Sequence, residues 1–88
     1  MAMMRRWKHR FVVYLILCED DWFYVGMTGD YHIRKQQHFE GEGALFTQHH
    51  KPKKFKILRR NLTEEEAKRL ESEFTAVFIR QGWRAYSA

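Results

Sequence analysis

Residues 11–28 decide the fold. Phe11-Val12-Val13-Tyr14-Leu15-Ile16-Leu17-Cys18 is a β-branched, aromatic and apolar run. Trp22-Phe23-Tyr24-Val25-Gly26-Met27-Thr28 repeats that character, and the acidic break Glu19-Asp20-Asp21 separates the two. Two such runs joined by a short polar break predict an antiparallel hairpin. Loop length then sets the register. With three residues in the loop, Cys18 pairs with Trp22 and Tyr14 with Gly26, and directly opposed residues share a face. Tyr14 and Tyr24 become diagonal neighbours on one side of the sheet. Gly26 has no side chain, which leaves room in front of Tyr14. A two-residue loop would put the tyrosines on opposite faces.

The totals bound what surrounds this hairpin. The 88 residues suffice for one domain, which buries roughly 60–65% of its unfolded surface and so has a small stability margin. An aromatic content of 16% predicts a compact core supplemented by surface rings. Sixteen Lys and Arg against eleven Asp and Glu leave a charge of +5, with five histidines in reserve. That balance favours an anionic partner, nucleic acid ahead of a membrane surface, although the same charge also serves solubility alone. The single cysteine excludes an internal disulfide and fits a reducing compartment, so a cytoplasmic or nucleoid-associated location is expected. No apolar run is long enough to span a membrane, and no cleavage site follows the basic start, so neither a membrane partner nor a signal peptide is expected.

In chain order, residues 1–10 read as a basic N-terminal arm, with Trp7 docked on the domain. Residues 11–82 read as the domain itself and residues 83–88 as a C-terminal tail. Asp30 is a good N-cap for a helix over residues 31–39. Arg34 and His38 lie four apart there and leave the same helical face, as a solvated polar surface or as part of a site. Glu40-Gly41-Glu42-Gly43 is a flexible connection, and residues 44–52 look irregular. Lys53-Lys54-Phe55-Lys56-Ile57-Leu58 alternates as a third strand, with Phe55 and Ile57 toward one face. Lys51, Lys53, Lys54 and Lys56, with Arg59 and Arg60 beyond, suit phosphate contacts. They equally suit the lysine protection of an exposed sheet edge.

The last element is the best marked. Thr63-x-x-Glu66 is a capping box, acids fill the first turn, and Gly82 is a plausible stop. Ala67, Leu70, Phe74, Val77 and Phe78 form an apolar helical stripe. Glu71 falls at the edge of that stripe, half-turned toward the core. A carboxylate so placed needs a partner, either a cationic side chain or a metal ion. Histidine and cysteine spacings match no structural zinc site, and there is neither a glycine-rich phosphate loop nor a serine elbow.

Taken together, these residues resemble the GIY-YIG nuclease domain. The two motifs that name the family read here Val13-Tyr14-Leu15 and Tyr24-Val25-Gly26. The resemblance continues through Thr28, Arg34, His38, Phe46-Thr47 and His50-Lys51-Pro52. It ends in Glu66-Ala67-Lys68-Arg69-Leu70-Glu71, similar to the family's glutamate-bearing helix, and covers roughly residues 11–81. Each motif alone is short; the ordered set is specific. Val13 replaces the first glycine of the name motif. Met27 stands where many members carry a lysine, and no asparagine appears around Trp83, where several carry one.

The resemblance implies an α/β sandwich of the α+β kind, with a three-stranded antiparallel sheet flanked by helices. It also implies an endonuclease, a phosphodiester hydrolase acting on DNA with a single divalent ion, Mg2+ or Mn2+. Relatives act in DNA repair and recombination, some of them on particular DNA structures, and the length here is most similar to the small stand-alone members. In those terms Tyr14 is the expected general base, although a free tyrosine titrates near 10 and must be lowered to act at neutral pH. Tyr24 would position the water or a phosphate oxygen, Arg34 would clamp phosphoryl oxygens in its planar fork, and His38 would assist proton transfer or contact the phosphate. Glu71 would hold the metal, with waters and substrate oxygens completing its shell. The alternative is a non-catalytic nucleic-acid-binding module on the same fold.

Overall fold

A computed structural model of the chain describes residues 8–87. Of the expected N-terminal arm, residues 1–7 lie outside the described residues, Trp7 among them. Strands β1 (Phe11–Cys18) and β2 (Phe23–Thr28) form the hairpin, followed by helix α1 (Tyr31–Phe39) and a short helix α2 (Leu45–His49). Strand β3 (Pro52–Leu62), helix α3 (Glu64–Arg80) and strand β4 (Ala85–Ser87) complete the order. The sheet runs β3-β1-β2-β4. β1 is antiparallel to both β2 and β3, and β4 lies parallel to β2. The architecture is thus the mixed α/β one expected, with a four-stranded sheet in place of a three-stranded one.

The hairpin takes the three-residue loop. The Cys18 amide donates to the Trp22 carbonyl at 2.9 Å and the Asp21 amide to the Cys18 carbonyl at 3.1 Å. Asp21 closes the turn with φ 66°, a left-handed conformation that aspartate tolerates better than most residues. Tyr14 therefore faces Gly26 and Ile16 faces Tyr24. Alternation divides the sheet into two faces. Val12, Tyr14, Ile16, Cys18 and Tyr24 form one buried cluster, against which Trp22, Tyr31, Phe46, Phe55 and Ile57 pack. Val13, Val25 and Ala67 form the other, with Phe11, Leu15, Leu70, Phe74 and Phe78 around them. The first face is covered by α1 and α2, the second by α3.

Helix α1 starts where Asp30 accepts a hydrogen bond from the Ile33 amide at 3.3 Å. Helix α3 starts on a complete capping box. The Thr63 amide donates to Glu66 Oε1 at 2.9 Å, and the Glu66 amide donates to Thr63 Oγ1 at 3.2 Å. It stops at Gly82, whose φ of 91° lets the Trp83 amide reach back to the Phe78 carbonyl at 2.9 Å.

Two segments depart from expectation. Residues 44–52, read as irregular, contain helix α2, a single turn too short to announce itself by periodicity. The expected tail contains β4. After the Gly82 turn, Trp83 packs against Phe23 in a tilted contact at 4.7 Å and stacks on Phe78 at 4.8 Å. The Phe23 amide then donates to the Arg84 carbonyl at 2.8 Å and opens the parallel ladder. Helix α3 is thereby a crossover from β3 to β4 that passes over β1 and β2. Removing the capping hydroxyl with Thr63→Ala should cost about 1 kcal/mol of stability by denaturant titration, with the hairpin register unchanged.

Candidate active site

The hairpin register builds the centre of the site. Because Gly26 lacks a side chain, the Tyr14 ring leans across it; a Cβ at Gly26 would overlap the Tyr14 hydroxyl. The Tyr14 ring stacks on Phe55 with centroids 4.8 Å apart and lies 6.4 Å from that of Tyr24. Both tyrosines are almost wholly buried, at 1% and 2% exposure.

Helix α1 brings two further side chains to this face. His38, at 0% exposure, is buried between the phenols, with ring centroids 5.5 Å from Tyr14 and 5.3 Å from Tyr24. Its Nε2 lies 2.8 Å from the Tyr14 hydroxyl and its Nδ1 lies 2.7 Å from Thr47 Oγ1. Arg34, one turn earlier, acts electrostatically on Tyr14, Tyr24 and His38 and donates to Gln37 Oε1 at 3.1 Å. As a pair, Arg34 and His38 therefore make no solvated face: they turn inward onto the tyrosines.

Burial governs the electrostatics. It raises the Tyr14 pKa well above the usual phenol value, reinforced by the neighbouring Tyr24 and opposed by Arg34. Tyr24 is raised for the same first reason, with Arg34 again opposing. His38 is pushed down to about 4, chiefly by burial and further by the Arg34 charge. At neutral pH both phenols are protonated and His38 is neutral.

Glu71 approaches from the other side of the sheet. β4 pairs only with Phe23, Tyr24 and Val25, so among the described residues the outer edge of β2, opposite β1, carries no strand from Gly26 onward. The Glu71 carboxylate is close enough to both phenols to oppose their ionisation. It is half-buried, makes no ion pair among the described residues, and burial raises its pKa. The ion pair with a cationic side chain that the sequence left open is not formed among the described residues. Among the described residues no three His, Cys, Asp or Glu side chains gather as a metal cage. A lone desolvated carboxylate still fits a hard cation that keeps most of its waters.

The lysine run does not form one track beside the tyrosines. Lys54 and Lys56 stand opposite Leu17 and Leu15, and so share the face covered by α3. Lys53 falls at an irregularity of the pairing, and Lys51 lies 4.0 Å from Glu19. The cations flanking the tyrosine face are instead Lys35, with Nζ 5.8 Å from the Phe55 ring centroid, and Arg60, 5.5 Å from that of Tyr31. Sequence reading did not single out Lys35; it counted Arg60 in the basic run and Thr47 in the family resemblance, without assigning Thr47 a role. The signals were a helix face for Lys35, the basic run for Arg60 and the Phe46-Thr47 pair for Thr47.

The chain matches a known nuclease family. The family model of the GIY-YIG catalytic domain matches residues 10–79, and the chain belongs to that family. It is 36% identical over 74 residues to a UPF0213 protein of Neisseria meningitidis serogroup C, the match covering 81% of each chain. It is 33% identical over 61 residues to the UPF0213 protein YazA of Bacillus subtilis, covering 69% of this chain and 62% of that one. No solved structure matches. No helix among the described residues is long and apolar enough to cross a membrane.

Two predictions follow from this packing. An unfolded imidazole gains its proton near pH 6.5 and the folded His38 only near 4. Between those values the unfolded chain holds more protons, so stability falls on acidification, by a loss that approaches about 3 kcal/mol at about 1.4 kcal/mol per pH unit. His38→Gln should flatten that part of the stability–pH curve. Gly26→Ala should drive the Tyr14 ring from its seat and cost about 1–3 kcal/mol, read by denaturant titration.

Proposed function

We propose that the protein is a metal-dependent endonuclease that hydrolyses DNA phosphodiester bonds. The observation that carries this reading is the convergence of Tyr14, Tyr24, Arg34 and His38 on one sheet face, with the Glu71 carboxylate, which has no ion pair among the described residues, within electrostatic reach. Hydrolysis of a phosphodiester needs an activated water, stabilisation of charge on the phosphoryl oxygens and help for the leaving oxygen. Arg34 presents a permanently charged, donor-only fork beside both phenols, suited to two phosphoryl oxygens. Tyr14, whose hydroxyl is seated over Gly26 beside the Arg34 charge, would take the proton of the attacking water. Tyr24, diagonal to it, orients that water or a phosphate oxygen. His38 touches the Tyr14 hydroxyl and can accept its proton.

Glu71 would hold one Mg2+ or Mn2+, which when bound supplies positive charge for the phosphoryl oxygens and favours ionised phenols. A resident cation would also favour the ionised carboxylate, so metal affinity should weaken on acidification. Met27, in place of a lysine, leaves Arg34 as the protein's own cation acting on both tyrosines. Lys35 and Arg60 flank the face and provide for the DNA backbone, while Lys51, Lys53, Lys54 and Lys56 provide for more distant phosphates.

Plasmid, nicked and branched DNA incubated with Mg2+ or Mn2+ should be cleaved. Arg34→Ala, Glu71→Ala and Tyr14→Phe should each lower the rate by at least about 100-fold. Equal cleavage by wild type and variants would assign the activity to a contaminant or another site. The second reading, a binding module without catalysis, draws on Met27 and on the lysines of the edge strand. It would be indicated by binding that weakens about 0.9 log unit per phosphate contact for each log unit of salt, with no cleavage under any divalent ion.

A further inference from the structure

The hydrogen bonds around His38 form a chain whose direction can be read from its two ends. At one end stands Arg34, which offers only N–H donors to Tyr14. At the other stands the Ala44 carbonyl, which can only accept, and which takes the Thr47 hydroxyl proton at 3.0 Å. Between them, the one acceptor hydrogen-bonded to the Tyr14 hydroxyl among the described residues is His38 Nε2, at 2.8 Å. Tyr14 therefore donates, and Nε2 carries a lone pair. A neutral imidazole with a bare Nε2 has its proton on Nδ1, which then donates to Thr47 Oγ1 at 2.7 Å. The Thr47 oxygen is free to accept there because its own proton is committed to Ala44.

We propose that Thr47 is a positioning residue that holds His38 in the Nδ1–H tautomer and so keeps Nε2 available to receive the Tyr14 proton. The surroundings are built to that end. Thr47 is 2% exposed, and a Cβ at Gly43 would come within 2.9 Å of His38 Cγ, so the connection from α1 to α2 lies directly against the ring. Helix α2, whose Phe46 packs on the tyrosine face, also presents one hydroxyl to one imidazole nitrogen.

The consequence for the reaction rests on the nuclease reading. As the attacking water loses a proton to the Tyr14 oxygen, the Tyr14 O–H bond breaks and an Nε2–H bond forms. The imidazolium carries the positive charge, the water's remaining hydroxide oxygen bonds to phosphorus, and the P–O bond to the leaving sugar oxygen breaks, that oxygen taking a proton from solvent water. The Nδ1–H to Thr47 bond is the same before and after, so the transfer needs no rearrangement of the ring or of α2. With the other tautomer, Nε2–H would point at Tyr14 and the path would be closed.

The tautomer can be measured without nucleic acid or metal. Long-range 1H–15N correlation on 15N-histidine protein, with His38 assigned by comparison with His38→Gln, should show Nδ1 protonated and Nε2 unprotonated. Thr47→Val should shift His38 toward Nε2–H and reduce cleavage about 10- to 100-fold, and Thr47→Ser should restore both. An Nε2–H imidazole in the wild type overturns the proposal, as does an unchanged tautomer in a folded Thr47→Val. If Thr47→Val does not fold, the wild-type and Thr47→Ser spectra decide. An Nδ1–H tautomer in a protein that cleaves nothing would leave the Thr47 assignment standing and sink the nuclease reading instead.

Discussion

The arrangement depends on one close approach, that of the Tyr14 ring to the bare backbone of Gly26. It exists because a three-residue turn sets Tyr14 opposite Gly26, and a shift of one residue would send every side chain of the strand to the other face. The same register places Tyr24 diagonally beside Tyr14 and gives His38 two aromatic walls. It also puts Val13 and Val25 on the far face, where they receive α3 and with it Glu71. Site and core are thus two consequences of one pairing.

Burial is what makes the site distinctive. Tyr14, Tyr24 and His38 are almost withdrawn from water, and each is pushed toward its neutral form. Buried polar groups are tolerated only when hydrogen-bonded, and here the demand is met by a chain that runs from Tyr14 through His38 and Thr47 to a carbonyl. The resting protein holds its protons firmly. Positive charge brought to the Glu71 side would loosen them, and Arg34 already opposes the effect of burial on both phenols.

The edges of the sheet show where local reading falls short. Phe55 and Ile57 do face the tyrosines, as alternation foretold. The lysines between and before them divide, because those at Lys54 and Lys56 follow the alternation to the opposite face. Strand geometry therefore splits the basic run, which suited phosphate contacts and edge protection alike, between faces. β4 escaped notice because three residues carry no period, and what secures it is packing of Trp83 on Phe23 and Phe78 and stacking of Tyr86 on Phe46 at 4.7 Å.

What the sequence determined by itself are the features written within a few residues of one another. The loop of Glu19-Asp20-Asp21 set the hairpin register, Asp30 and the Thr63–Glu66 box set the two main helix starts, and Gly82 set the end of α3. The ordered tyrosines, Arg34, His38 and Glu71 marked the family. Tertiary structure decided what those residues became. His38 and Thr47 are nine positions apart, and Tyr14 and His38 twenty-four, so no local pattern could bury that imidazole or aim its nitrogens. Only the folding of α1 and α2 onto the hairpin excludes water there, and excluding water turns a helix-surface histidine into the middle of a directed hydrogen-bond chain.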